Sequence, residues 1–425
     1  MKVLIRGGRL ADPKNAIDDR YDILIDGPVI KGVSKNNRKV DGNTKIIDAS
    51  KRIVAPGLID VHCHLREPGF EYKETIRTGT MAAVRGGFTT IVCMANTNPV
   101  NDSRSVTEFI VERARAEGFC KVLPCGAITK GLRSEELSEI GEMYAAGIVA
   151  VSDDGKSVRG AGLLRKALEY TKIFSLPVIS HCEDDTLSGG CVHEGHASLL
   201  SGLEGVPAIA EELIVGRDIA VARYVDAPLH ITHISTAGSV EIIERARRSF
   251  KKITCDTCPH YFTLTDEATL TYDTNTKVNP PLRSKEDVRA IREGLRKGTI
   301  DIIATDHAPH EFTSKDMEFD LASFGISGFE TAFALALGLV REDVLDMRGL
   351  LAKMTMNPAE LLGIGSGVVA EGAPADLIIF DPDIEWTVDR DSFASKGRNT
   401  PFHGMTLHGK NLLTMVSGKV VYNQL

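Results

Sequence analysis

The sequence predicts an α/β fold: a (β/α)8 TIM-type barrel over residues 55–365, with a small β-sandwich domain built from both termini, residues 1–54 and 366–425. Three observations predict it. Both ends of the chain read as short strands and turns. The middle alternates short apolar runs with amphipathic stretches. Histidines and aspartates recur where those runs stop, the place where a parallel barrel collects its functional side chains.

In chain order, Val3–Gly7, Tyr21–Gly27, Val29–Ser34 and Thr44–Ser50 cluster β-branched residues between Gly, Asp and Asn, the composition of strands joined by turns. Barrel strands are then expected at Leu58–Val61, Thr89–Met94, Lys121–Cys125, Ile148–Val151, Pro177–Ser180, Leu229–Thr232, Ile253–Asp256 and Asp301–Ala304. Between them Val106–Ala116, Leu163–Thr171, Ala208–Ala222 and Val240–Ser249 carry apolar residues at helical spacing. Eight strand–helix units over about 280 residues match a closed parallel barrel. An open doubly wound sheet is the competitor, and the lack of a G-x-G-x-x-G after a first strand argues against it. Ala375–Asp381, Glu385–Val388 and Leu412–Tyr422 read as strands again, with a turn at Gly418-Lys419.

Composition narrows the function. The chain has 425 residues, 43% hydrophobic and 25% charged, with a formal net charge of −8. That balance suits a globular enzyme and gives no general attraction for nucleic acid or an anionic membrane. No apolar stretch approaches the roughly 20 residues of a membrane span, and the opening MKVLIRGGRL is too short and polar for a secretion signal. Eight scattered cysteines point to a reducing cytoplasm, with thiols buried as small hydrophobes. Cys255 and Cys258 form a lone C-x-x-C without the second pair that a zinc ribbon needs, so they read as structural.

The chemistry is carried at the strand ends. His62 and His64 follow the first barrel strand two residues apart, so their imidazoles point to one face and can share a metal ion. Asp153 and Asp154 follow the fourth strand, His181 closes the fifth, His233 the sixth and Asp306 the eighth. Neutral imidazoles with carboxylates are a donor set for divalent cations, and a carboxylate at the fourth strand can bridge two of them. Such ions acidify water to near neutrality. Asp306 can bind one ion and also move the proton to a leaving nitrogen.

These residues lie in segments that resemble the amidohydrolase superfamily and, within it, the dihydroorotases. The segments are Pro56-Gly57-Leu58-Ile59-Asp60-Val61-His62-Cys63-His64-Leu65-Arg66-Glu67-Pro68-Gly69, Gly86–Thr90, Asn96–Pro99, Ser152–Gly155, His181–Asp184, Val278–Arg283, Ala304–His310, Gly325–Thr331, Asn357–Ala359 and Ala373–Leu377. The resemblance implies two zinc ions: one held by His62, His64 and Asp306, the other by His181 and His233, with Asp154 bridging. Asp153 and Lys156 are the alternatives at the bridge, Lys156 because many relatives carry a carboxylated lysine there. It also implies Asp306 as the acid/base, Arg66, Asn96 and His310 as contacts to a substrate carboxylate, and Asn279 as a contact to a pyrimidine ring. The implied reaction is reversible cyclisation of N-carbamoyl-L-aspartate to L-dihydroorotate in pyrimidine biosynthesis. The implied assembly is a homodimer, with aspartate carbamoyltransferase as a potential partner. Two other readings stand beside it: a hydantoinase- or allantoinase-like enzyme, and a non-catalytic partner of the carbamoyltransferase. The chain departs from the pattern at Ala95, where proline is usual. Cys255–Tyr261 looks closer to hydantoinases and allantoinases.

The remaining candidates read as structural. His307 neighbours Asp306 and should point away from it, and His230 should pack. His193, His196, His403 and His408 lack a strand end, and Glu183 and Asp184 should cap the segment after His181. The polar run His310–Met317 reads as a loop over the substrate.

Overall fold

The apolar runs of the middle region become the eight barrel strands in a computed structural model that describes residues 2–35 and 42–425. They are β1 (Leu58–Cys63), β2 (Phe88–Cys93), β3 (Lys121–Gly126), β4 (Ala150–Val151), β5 (Val178–Ser180), β6 (Leu229–Ile231), β7 (Ile253–Thr257) and β8 (Ile302–Ile303). They hydrogen-bond in chain order from β1 to β8, each pair parallel. Each expected strand is present, although β4 and β8 contract to two residues. The seam between β8 and β1 is therefore closed partly by a side chain. Asp60 accepts from the Thr305 amide at 2.9 Å and the Thr305 hydroxyl at 2.6 Å. Just above it the His64 amide donates to the His307 carbonyl at 2.9 Å.

The four expected helices run Arg104–Glu117, Ala161–Thr171, Ile209–Val225 and Ala237–Arg247. Their limits follow local chemistry. The Thr236 hydroxyl accepts from the Ser239 amide and starts the last of them. The first barrel helix, Ile76–Gly86, opens on a reciprocal Thr75–Thr78 cap and stops at Gly87, whose φ of 95° suits glycine. One apolar cluster unites Ile59, Val61, Val92, Met94, Cys125, Ala150, Ile179, Ile302 and Ala304 with Ala359 and Leu362. Side chains from six strands meet this way only inside a barrel, so the interior is a packed core.

The chain ends form one eight-stranded sheet from Lys2–Asp12, Ile17–Asp26, Val29–Ser34, Lys45–Asp48, Ile53–Pro56, Leu377–Thr387, Thr406–Val416 and Lys419–Asn423. The first strand shifts register between Ile5 and Gly8. Its early half pairs with Lys45–Asp48 and its later half with Ile53–Pro56. That split folds the sheet into two layers around Ile5, Ile23, Ile25, Leu377, Ile379 and Leu413. Two details differ from expectation. Ala375–Asp381 and Glu385–Val388 belong to one strand, and the last turn lies at Ser417-Gly418. Ser417 and Gly418 take φ of 47° and 74°, as a two-residue hairpin turn of the primed kind requires, so Lys419 is already paired with Val416.

The two units share a core. Ile53, Ala55, Ile378, Phe380 and Val416 belong to the same apolar cluster as the barrel helices. The Lys121 ammonium meets the buried Asp376 carboxylate at 2.5 Å. No helix among the described residues is long and apolar enough to cross a membrane.

Candidate metal centre

Five strand ends deliver six side chains to one point, and all six are buried, at 7% exposure or less. His62 and His64 rise from the end of β1, Asp154 follows β4, His181 follows β5, His233 follows β6 and Asp306 follows β8. His62 Nε2 lies 3.2 Å from Asp154 Oδ1 and 3.6 Å from Asp306 Oδ1. His64 Nε2 lies 3.5 Å from Asp154 Oδ2 and 3.0 Å from Asp306 Oδ1. On the other side, Asp154 Oδ1 is 3.4 Å from His233 Nε2 and 3.7 Å from His181 Nδ1. The latter two nitrogens are 3.0 Å apart.

These distances resolve into two overlapping sets of donor atoms within 4.8 Å of one another: His62, His64 and Asp306, and His62, Asp154 and His233. His62 Nε2 is buried without a hydrogen-bond partner, a costly condition for a polar atom that a cation relieves. The opposite ring nitrogens are already occupied. His62 Nδ1 meets Thr232 Oγ1 at 2.7 Å, His64 Nδ1 meets Asn96 Oδ1 at 2.9 Å, and His181 Nε2 meets Glu183 Oε2 at 3.2 Å. The Asn96 and Glu183 oxygens can only accept, so each places the proton on the nitrogen facing it and frees the other nitrogen's lone pair for a cation. The donor set fits metal ions.

Charge agrees. Burial pushes the Asp154 carboxyl up, but His62, His181 and His233 override it and hold it far below the usual carboxylate range. Burial likewise opposes ionisation of Asp306, and His64 and His62 bring it down. The imidazoles move the other way. Burial disfavours their charged forms, yet Asp154 lifts His62 to about 9. Asp154 and Glu183 together lift His181 to about 10.

Two of the six are held in strained backbone. His233 and Asp306 have φ of 39° and 44°, a region that costs a side-chain-bearing residue about 1 kcal/mol or more. Asp256 supports the first: its Oδ1 accepts from the His233 amide at 2.7 Å, and its Oδ2 meets His230 Nε2 at 2.8 Å. His230 therefore braces the centre from below as well as packing.

Of the alternatives at β4, Asp153 turns away and accepts from the amides of Ile128 and Thr129 at 2.8 and 2.9 Å. Lys156 is exposed. Glu183 meets His181 and accepts from Asn279 Nδ2 at 3.0 Å instead of capping. Asp184 does cap, accepting from the Thr186 amide at 3.0 Å. His307 stacks on Phe329 with ring centres 4.1 Å apart. His193 is buried and meets Arg283 at 3.2 Å. All eight cysteines are buried free thiols.

A cavity of about 310 Å³ opens over five of the six, all but His62, and is also lined by Arg66, Asn96, Asn279, His310 and Phe324. Arg66 Nε donates to the Pro309 carbonyl at 3.3 Å, and its Nη2 lies 3.3 Å from His310 Nε2. Asn96 meets the cavity while orienting His64. Thr232, Glu183 and Asp256 were not legible as functional. Thr232 shares a strand end with His233, and Glu183 follows His181 by two residues; that proximity was the available signal.

Known proteins resemble the chain over its whole length. The family model for Dihydro-orotase-like proteins matches residues 51–239. Proteins named Dihydroorotase from Acetivibrio thermocellus and Geobacter metallireducens are 50% and 51% identical, covering 99% and 100% of both chains. One from Pelotomaculum thermopropionicum is 52% identical over 99% of this chain and 98% of its own. Among solved structures, the L-hydantoinase (dihydropyrimidinase) of Arthrobacter aurescens superposes with a TM-score of 0.90 at 24% identity, over 99% of this chain and 96% of that one. The dihydropyrimidinase of Brevibacillus agri gives 0.88 at 24%, over 100% and 95%. These two carry the fold.

Proposed function

The chain belongs to the dihydroorotase family, and on that footing we propose that it interconverts N-carbamoyl-L-aspartate and L-dihydroorotate by metal-dependent cyclic amide chemistry. The observation that carries this reading is the convergence of six buried metal-type donors, five of them lining one cavity with Arg66 and His310.

His62, His64 and Asp306 would hold one zinc ion, and His181 and His233 a second, with Asp154 available as a ligand to either. When bound, such cations supply a Lewis acid for the ring carbonyl and water acidified to near neutrality. Asp306 accepts the proton of the attacking water and returns it to the departing ring nitrogen. Arg66 receives the free carboxylate through its planar fork, with Asn96 and His310 beside it and Asn279 against the ring. The barrel, residues 55–365, holds the site, and residues 1–54 with 366–425 brace it from below. A cytoplasmic homodimer, able to dock a carbamoyltransferase, completes the proposal.

The test is hydrolysis of dihydroorotate, hydantoin and allantoin by the purified protein, with metal counted in parallel. Dihydroorotate should be preferred by about a hundredfold or more in kcat/KM, lost with a chelator and regained with zinc. Absence of turnover with under about half an ion per chain after zinc loading would instead support a non-catalytic relative. The variant Asp306→Asn should lose about a hundredfold or more in kcat with an unchanged melting curve; a rate within about threefold of the parent refutes the proton-transfer role.

A further inference from the structure

We propose that Lys73 is a positioning residue for the carboxylate end of the substrate, acting through His310, and that it sets the preference for carboxylated over neutral ureides. The proposal rests on the functional reading above.

Lys73 Nζ lies 3.3 Å from His310 Nδ1. An ammonium can only donate, so Nδ1 must accept and the ring proton belongs on Nε2. That nitrogen sits 2.8 Å from the Phe324 carbonyl and 3.3 Å from Arg66 Nη2. Lysine and the Phe324 carbonyl thereby select the same tautomer, with the Nε2 proton donated to that carbonyl and the ring edge set beside the guanidinium. The Lys73 ammonium is also steadied from its own loop: its Nζ stands 5.7 Å from the ring centres of both Phe70 and Tyr72.

The charges point to an anionic ligand. Burial first, then Arg66, Lys73 and Lys315, bring His310 down to about 2, so the ring is neutral. Arg66 and Lys73 thus flank an uncharged imidazole. Neither forms an ion pair with a carboxylate among the described residues. Burial disfavours the Arg66 charge, and Asp306, Asp154, Glu74 and Glu311 oppose that only through their fields. Burial and the Arg66 charge each disfavour the Lys73 ammonium, with Glu311 alone opposing them. Neighbouring cations with no carboxylate in contact cost free energy, and an entering carboxylate relieves that cost. Arg66 reaches the cavity directly, whereas Lys73 lies outside its lining, so its influence passes through the His310 ring and its charge.

The test uses the zinc-loaded full chain with Lys73→Met, Lys73→Gln and Lys73→Arg. Calorimetry measures binding of orotate and its neutral amide, and steady-state assays measure dihydroorotate opening. In Lys73→Met and Lys73→Gln, orotate affinity should fall and the dihydroorotate KM should rise by about tenfold, with kcat within about twofold. Binding of the amide should be unchanged, and Lys73→Arg should recover most of the loss. Orotate affinity within about twofold of the parent in either neutral variant overturns the proposal. Equal losses for orotate and the amide do so too, because they mark a structural role. If the parent binds orotate but opens no dihydroorotate, the functional reading fails while the binding comparison still judges Lys73.

Discussion

His62 and His181 approach the same Asp154 carboxylate from different strand ends, and that carboxylate sets their protonation. Burial alone would keep both rings neutral; Asp154 overrides it, raising His62 to about 9 and, together with Glu183, His181 to about 10. A metal ion needs the neutral ring, so loading must displace protons. At pH 7.5 zinc binding should release about two protons per chain, and the release should fade as pH climbs past 10. Calorimetry in buffers of different ionisation enthalpy reads this directly, and release below about half a proton at pH 7.5 would contradict it. The sign for stability is the same. Both folded values lie above the unfolded one of about 6.5. The metal-free fold therefore gains stability from these rings below that pH, and loses it as pH rises through 9 to 10.

At the scale of elements, the segment after β8 brings Ser323, Phe324 and Gly325 to the cavity and is anchored from beneath by two lysines. Lys315 Nζ donates to the carbonyls of Ser323 at 2.6 Å and Gly325 at 3.3 Å. Lys277 Nζ donates to the Asp320 carbonyl at 2.8 Å and stands 4.4 Å from the Phe324 ring centre. The expected polar loop His310–Met317 thus contains a buried cation. Burial, with Lys277 adding to it, depresses Lys315 to about 7. Between that value and the unfolded one of about 10.4 the unfolded chain binds more protons at this lysine, so its own contribution to stability rises with pH across the window, by at most about 1.4 kcal/mol per pH unit, against the loss at His62 and His181. In Lys315→Met that slope should vanish while the rest of the profile persists. Chemical denaturation at pH 7, 8, 9 and 10 measures it, and parallel profiles for the two proteins would count against the assignment.

For the whole molecule, the terminal sheet is part of the barrel's foundation. Ile53, Ala55, Ile378 and Phe380 fill the same core as the barrel helices, and Lys121 is tied to Asp376 at 2.5 Å. Each buried apolar side chain of this kind is worth about 1.5–3 kcal/mol, so losing several exceeds the stability of an ordinary domain. A fragment of residues 57–365 should show no cooperative melt, whereas the full chain should. A sharp calorimetric transition in the fragment would show that the barrel stands alone.

Periodicity and turn chemistry carried most of the architecture. Eight strands, four helices and the return of the chain end to the first sheet were readable because burial imposes a short-range pattern on apolar residues. His62, His64, His181, His233 and Asp306 were readable as candidates because each follows an apolar run. The choice between Asp153 and Asp154 was not, since adjacent residues at a strand end diverge and only their partners, Ile128 and Thr129 for one and three imidazoles for the other, separate them. Thr232, Asp256 and Lys73 escaped notice for a related reason. Their work is done across gaps of chain, on the nitrogen of a distant ring or amide, and local sequence carries no record of which groups folding will place three ångströms apart.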